Sequence, residues 1–317
     1  MITFLLSMVL TCFCQIGTTN VAQPIKEDIT EIVFDSTRNY WGRVNISSYT
    51  GQLLFVLPQA KGLEKWGYSN FKPIDYNHSS YENVHYGRNS EASEYNTKYE
   101  DLANKYFHVD SVVRYKNKLL SLEDDNIFYL TEKDNPANRC CFVYDSEYKH
   151  NFPFMVVSHF NYLKNKFIGK KFIIAGHLLK MHDIITGNHI VISNETKVFW
   201  TVMDITIVND DNRKLSVIVT NRDMTSCVSI DNFEDALNLD GRRQIFEKNE
   251  WDKLVLTYGL PMMQTVMSRK IKVGMPSKLL IMSWGKPDRI HSASYGDQYV
   301  YGNQYVYVKK GKITSWN

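Results

Sequence analysis

Three pairs of segments match one another in the same order along this chain, and that ordering restricts the fold more than any other feature. SYTGQLLFVLP (48–58) matches KFIGKKFIIAG (166–176): an aromatic, a glycine, a polar position and an apolar run, as at a turn entering a strand. YFHVDSVVRYKNKLLSLEDDN (106–126) matches FWTVMDITIVNDDNRKLSVIV (199–219), alternating apolar residues followed by a polar turn and a second strand. CFVYDS (141–146) then matches CVSIDN (227–232). A single match arises easily by chance, but three in one order point to an internal repeat.

Each copy offers short strands broken by turns and little helical periodicity, which predicts two repeated SH3-like small β-barrel or roll domains, at 23–150 and 151–240. Twenty Tyr, sixteen Phe and abundant Val and Ile agree with a mostly β protein, because aromatic and β-branched side chains pack well on a pleated surface. The first copy carries an insertion near 76–101, rich in Tyr, Asn, Ser and Glu and without apolar period, which reads as a long loop. Loops on rigid β scaffolds are where binding concentrates. Its tyrosines, Tyr76, Tyr81, Tyr86, Tyr95 and Tyr99, are the candidate binding residues, able to stack on a sugar or peptide; a tether is the competing reading.

The repeat also bears on the cysteines. Cys141 and Cys227 fall at equivalent places in separate copies, too far apart to bridge, so with Cys140 they are expected as free thiols on strands. The chain carries 37 basic and 34 acidic residues, interspersed, a balance that gives no electrostatic footprint for nucleic acid. The short basic set Arg269, Lys270 and Lys272 reads as a solvated face.

The N-terminal run ITFLLSMVLTCFCQI (2–16) holds no charge and is shorter than the roughly 20 residues that span a bilayer as a helix. Small and polar residues follow it, with Ala22 as the cleavage point. Residues 1–22 therefore read as a secretory signal peptide, with an uncleaved anchor as the alternative. The expected location is the periplasm, the cell surface or the medium, with no transmembrane span after cleavage.

From residue 249 the texture changes. Trp251, Leu254, Val255 and Tyr258 share one helical face, and Gly259 and Pro261 should stop that helix. A second helix is expected from Pro276 to Trp284, then three strands in QYVYGNQYVYVKKGKITSW. Residues 249–317 would form a helix-helix-three-strand α+β module. Within it VGMPSKLLIMSWGKPDRI resembles the BamE/SmpA family of small bacterial envelope modules. Gly274, Met275, Gly285 and Pro287 stand at that family's G-M-x(9)-G-x-P spacing, with Trp284, Tyr299 and Tyr301 completing the structural signature. Pro276 departs from the Ser or Thr usual at its position. The resemblance implies an envelope-exposed, non-enzymatic domain that contacts other proteins.

Catalytic motifs are weak throughout. Gly285-Lys286 fails as a phosphate-binding loop, since Leu280 occupies the required upstream glycine position and Pro287 follows the lysine. His177, His182 and His189, with Asp183, lack the spacing of a zinc site. Ser158, His159 and Asp204 come without a nucleophile elbow. The glycosylation triplets at Asn45, Asn77 and Asn194 matter only in a eukaryotic secretory pathway. No cofactor or metal is expected. The expectation is an exported, non-catalytic envelope or secreted protein working through contacts with an envelope protein or glycan; the alternative is an exported hydrolase with an unrecognised active site.

Overall fold

The computed structural model describes residues 46–76, 84–116, 124–144, 152–174, 179–190, 198–207, 215–237 and 242–317. The leader, Tyr81, His177 and the asparagines at 45, 77 and 194 lie outside them. The chain is mostly β, built from antiparallel sheets with an α/β region at the C-terminal end. It divides into two compact units, 1–160 and 161–317.

The first unit holds strands β1 (Leu53–Val56), β2 (Phe71–Pro73), β3 (Tyr106–Lys116), β4 (Asp124–Glu132), β5 (Arg139–Tyr144) and β6 (Phe154–Val156), with a short helix α1 (Tyr99–Leu102). They form one sheet in the order β2-β5-β4-β3-β1-β6. The inward face is aromatic. Phe71, Phe128, Phe142, Tyr144, Phe152 and Phe154 are buried together, with Phe142 edge-on to Phe154 at 5.0 Å and Tyr144 edge-on to Phe152 at 5.3 Å. Such pairs contribute roughly 0.5–1.5 kcal/mol each beyond the area they bury. Successive residues of a strand face opposite sides, so Cys140 enters this core while Cys141 packs with Ile127 on the other face.

Helix α2 (Val157–Phe167) follows β6 without a break and leads into the second unit, whose strands are β7 (Lys171–Ile174), β8 (Met181–Asp183), β9 (His189–Ile190), β10 (Trp200–Ile207), β11 (Leu215–Thr220), β12 (Thr225–Ser229) and β13 (Ile245–Glu247). Helix α3 (Ile230–Ala236) lies between the last two, capped by the Ser229 hydroxyl, which accepts from the Asn232 N–H. The sheet order is β13-β7-β10-β11-β12-β8-β9. Reversed and stripped of β9, it places β7, β8, β10, β11, β12 and β13 where the first sheet has β1 to β6.

The correspondence extends to single residues. The β3–β4 pairing shifts register between Val109 and Ser111, and the β10–β11 pairing between Val202 and Asp204. The Gly51 N–H donates to the Val109 carbonyl at 2.8 Å, and the Gly169 N–H to the Val202 carbonyl at 2.9 Å. Lys72, Cys141 and Tyr129 align across three strands of one sheet, as His182, Cys227 and Ile218 do in the other. Each final strand runs directly into an 11-residue helix. Among the described residues no pairing joins the two outer strands of either sheet.

The remaining elements are helices α4 (Lys248–Tyr258), α5 (Leu260–Met267) and α6 (Ser277–Trp284) and strands β14 (Arg289–Ala293), β15 (Gly296–Tyr301), β16 (Gln304–Lys309) and β17 (Lys312–Trp316), the strands forming a meander in chain order. Gly259 ends α4 as expected, with φ of 82°. Pro261, however, sits in the first turn of α5, where its missing N–H costs nothing, and so starts a helix. The meander has four strands, not three: β14 is exposed along its whole length and shows no apolar alternation to betray it. Trp251, Met263, Met275, Leu279, Leu280, Val306 and Ile313 share one core with Ile173 of β7 and Phe246 of β13. The C-terminal helices and meander thus belong to the second unit instead of forming a body of their own.

Candidate binding cleft

The four described loop tyrosines, Tyr76, Tyr86, Tyr95 and Tyr99, do not form one surface. Tyr86 and Tyr99 pack against the first core, and Tyr99 stacks on Tyr68 at 5.9 Å with the planes 9° apart. Tyr76 lies against the opposite face of the sheet, where the Lys72 ammonium sits over its ring at 5.5 Å. Tyr95 is the exposed one of the four described, at 52%. Between them the segment is held by Arg88, whose guanidinium donates to both Asp101 oxygens, and by backbone pairing of Tyr68 with Thr97. The loop is therefore largely a packed wall of the first unit.

The other sequence candidates also separate. His182 and His189 face each other across β8 and β9, rings 5.6 Å apart and exposed, while the Asp183 carboxylate caps the turn between them by accepting from the Ile185 and Thr186 N–H groups. Those bonds, Thr186 foremost, hold the Asp183 carboxyl below its ordinary value. Among the described residues no group of three or more His, Cys, Asp or Glu is placed to hold a metal ion. Ser158 donates to the Gln52 side chain at 3.4 Å, and Asp204 pairs with Lys164 at 3.0 Å. Among the described residues no disulfide joins Cys140, Cys141 or Cys227, and burial pushes the Cys141 thiol up to about 12.

Of the C-terminal signature residues, Met275, Trp284, Tyr299 and Tyr301 pack on one core. Gly274, with φ of 82°, donates to the Ile313 carbonyl at 2.8 Å, and Ile313 donates back to Met275, whose side chain is fully buried. The Gly285 N–H closes α6 on Ile281 at 2.8 Å, and its φ of 93° with ψ of −176° lies outside the region L side chains tolerate. The chain therefore leaves the helix sharply, and Pro287 prevents its resumption. Trp284 is edge-on to Tyr301, and the Tyr301 hydroxyl donates to the Gly285 carbonyl at 3.0 Å. Tyr299 packs on the same core.

This exit opens a cleft of about 580 Å³ lined by Arg242, Arg269, Trp284, Lys286, Asp288, Tyr301, Gly302 and Gln304. Each cation arrives from a different place. Arg269 follows α5 at φ of 56°, a left-handed residue that turns the chain back. Arg242 precedes β13 and is exposed, whereas its neighbour Arg243 is buried and held by Glu250. Lys286 sits one residue beyond Gly285, which lies against Arg242: a Cβ there would stand at ordinary contact distance, 3.5 Å, from the Arg242 backbone nitrogen.

The Asp288 carboxylate lines the same cleft and accepts from the Gly302 N–H at 2.7 Å, which pins the β15–β16 turn. Burial and the charge of Arg242 both hold the Arg269 guanidinium below its ordinary value. Burial, with the charges of Tyr299 and Asp288, raises the Tyr301 phenol, which stays neutral. Chemically the cleft is a rim of forked cations over two rings.

Sequence reasoning took Arg269 as part of a solvated face and gave Arg242, Lys286, Asp288 and Gln304 no role. Nothing local announces them, since the lining is assembled from segments separated by up to 62 positions, from Arg242 to Gln304. No family model, no curated protein and no solved structure matches the chain. No described helix is long and apolar enough to cross a membrane.

Proposed function

We propose that the protein works by binding: it is an exported, non-catalytic component of a bacterial envelope, and the cleft beside Trp284 is where it contacts an envelope protein or glycan. The observation that carries this reading is the cleft's lining. Its two Arg, its Lys and its rings are suited to holding a partner, and its tyrosine and tryptophan heads are already committed to backbone carbonyls of Gly285 and Arg269. The likeness of residues 274–301 to the BamE-like modules supports an envelope role, since the same residues build the cleft wall. The apolar leader supports export.

We also propose that the two sheets descend from one duplicated unit of six strands and a helix. The shared strand order, the register shifts after Val109 and Val202, and the paired glycine contacts support it. In this reading the first copy kept the long loop insertion, and the second acquired α5, α6 and the meander that form the cleft.

The test places a photo-crosslinking residue at Gln304, exposed on the cleft rim, in the full chain expressed in its host. Specific cross-links to an envelope component, lost in the Arg242→Gln, Lys286→Gln double variant, are expected. Cross-links that persist unchanged in the double variant remove the cleft from the function. Exported material should begin at Gln23; an intact Met1 contradicts the cleaved leader.

A further inference from the structure

The cleft's charge is specific enough to name a ligand class. Arg242, Arg269 and Lys286 bring three positive charges and Asp288 one negative, a net of two. Two like-charged guanidiniums, one of them partly buried, are held near each other at a cost that an anion between them removes. Arginine forks match phosphate oxygens bidentately, and a lysine adds a point charge. A phosphate monoester carries about −1.5 to −2 charge at pH 7, a sulfate ester or phosphodiester only one. The volume, about 580 Å³, falls within the roughly 300–1,000 Å³ of small-molecule sites. The rings of Trp284 and Tyr301 offer apolar surface for the carbon skeleton that carries the phosphate.

We infer that the cleft binds the dianion of a phosphate monoester borne on a small polyhydroxy skeleton, a sugar phosphate in chemical class. This rests on the reading of the cleft as the contact site and specifies what it holds. Arg269 and Arg242 clasp the phosphate from two sides, Lys286 closes the third, and Asp288 stays on the Gly302 N–H. Tyr301, neutral and hydrogen-bonded to Gly285, supplies a wall and no charge.

Calorimetric titration of the full chain tests this with glucose 6-phosphate, glucose 6-sulfate and glycerophosphoglycerol. The monoester should bind at least about tenfold tighter than either monoanion, and Arg269→Gln should weaken it about tenfold or more, as loss of a charge-assisted fork predicts. Arg269→Lys, keeping charge without the fork, should fall between. Because the ligand's second pKa is about 6, affinity should drop about fourfold from pH 7.5 to 5.5. Asp288→Asn should keep that drop; its disappearance would place the titrating group on the protein and overturn the assignment. Equal binding of all three probes, or no binding of glucose 6-phosphate, also overturns it. In that event a Gln304 cross-link that still depends on Arg242 and Lys286 leaves the contact reading standing, whereas loss of that dependence removes the reading itself.

Discussion

The indole of Trp284 meets the ring of Tyr301 edge-on, centroids 5.5 Å apart and planes at 90°. The indole N–H donates to the Arg269 carbonyl and the Tyr301 hydroxyl to the Gly285 carbonyl, each at 3.0 Å. One aromatic pair thus ties the end of α5, the end of α6 and strand β15 together, and in doing so places Arg269 and Lys286 on the same cleft. A double-mutant cycle with Trp284→Leu and Tyr301→Leu, each of which removes a ring, should show the two coupled by about 0.5–1.5 kcal/mol in denaturant unfolding. Strict additivity would mean the pair does not hold the cleft.

Gly285 should resist substitution. Gly285→Ala forces a side chain into backbone space used almost only by glycine, at a cost of about 1–3 kcal/mol. The cost should appear in urea unfolding of the second unit, accompanied by weaker cross-linking from Gln304. In the first unit Gly67→Ala should be worse, because the added Cβ would overlap the Thr97 carbonyl oxygen, which cannot move without breaking its bond to the Tyr68 N–H.

The thiols make a simple chemical prediction. Cys140 and Cys141 are buried and their thiols are raised by burial, so iodoacetamide at pH 7.5 should modify Cys227 first in the native protein. In chain purified without residues 1–22, which carry Cys12 and Cys14, all three should react in denaturant, and electrophoretic mobility should not depend on reductant. Peptide mapping that finds Cys140 or Cys141 modified first contradicts the packing of β5.

Acid should loosen the loop wall of the first unit before its core. The Arg88 side chain, chiefly through its hydrogen bonds, holds the Asp101 carboxyl below its ordinary value. A carboxyl depressed in the folded state contributes stability that is present above the unfolded value near 4 and lost as pH falls through the folded one. The protection of residues 88–101 against hydrogen exchange, taken relative to the intrinsic rate at each pH, should therefore fall below about pH 4 in the native chain. Asp101→Asn should remove that acid limb and leave exchange fast at neutral pH.

The match between sequence and fold is uneven for physical reasons. The mostly β character was legible in the aromatic and β-branched composition, and strands fall at 106–116 and 200–207 within segments read as alternating. The aligned pair 106–126 and 199–219 nevertheless drifts: Val109 faces Leu130 in one sheet while Val202 faces Val219 in the other, so the second strands are offset by four residues from the sequence match. Turn length is free to vary where strand register is not. β14 was illegible since an exposed edge strand needs no apolar pattern. The tyrosine-rich loop misled, because tyrosine serves a core as well as a binding face, and Tyr68, Tyr86 and Tyr99 are used that way. The cleft was hidden for the opposite reason: its cations are single residues on three separated segments, and only the backbone reversals at Arg269 and Gly285 bring them together.

The second unit should fold without the first. A fragment of residues 157–317, which keeps α2 entire, should give a cooperative thermal transition and far-ultraviolet dichroism of mixed helix and sheet, since its cores draw on Ile173, Phe246 and Trp251 within the fragment. A fragment that melts without cooperativity would show that the unit needs residues before α2.

The cleft itself is tested most directly by a residue-resolved NMR titration of the full chain with glucose 6-phosphate. The account predicts saturable shifts at the Trp284 indole N–H, the Arg269 side chain and the Gly302 N–H, which glucose 6-sulfate reproduces only at about tenfold or more higher concentration. Shifts centred on other residues, or none at these three, would contradict it.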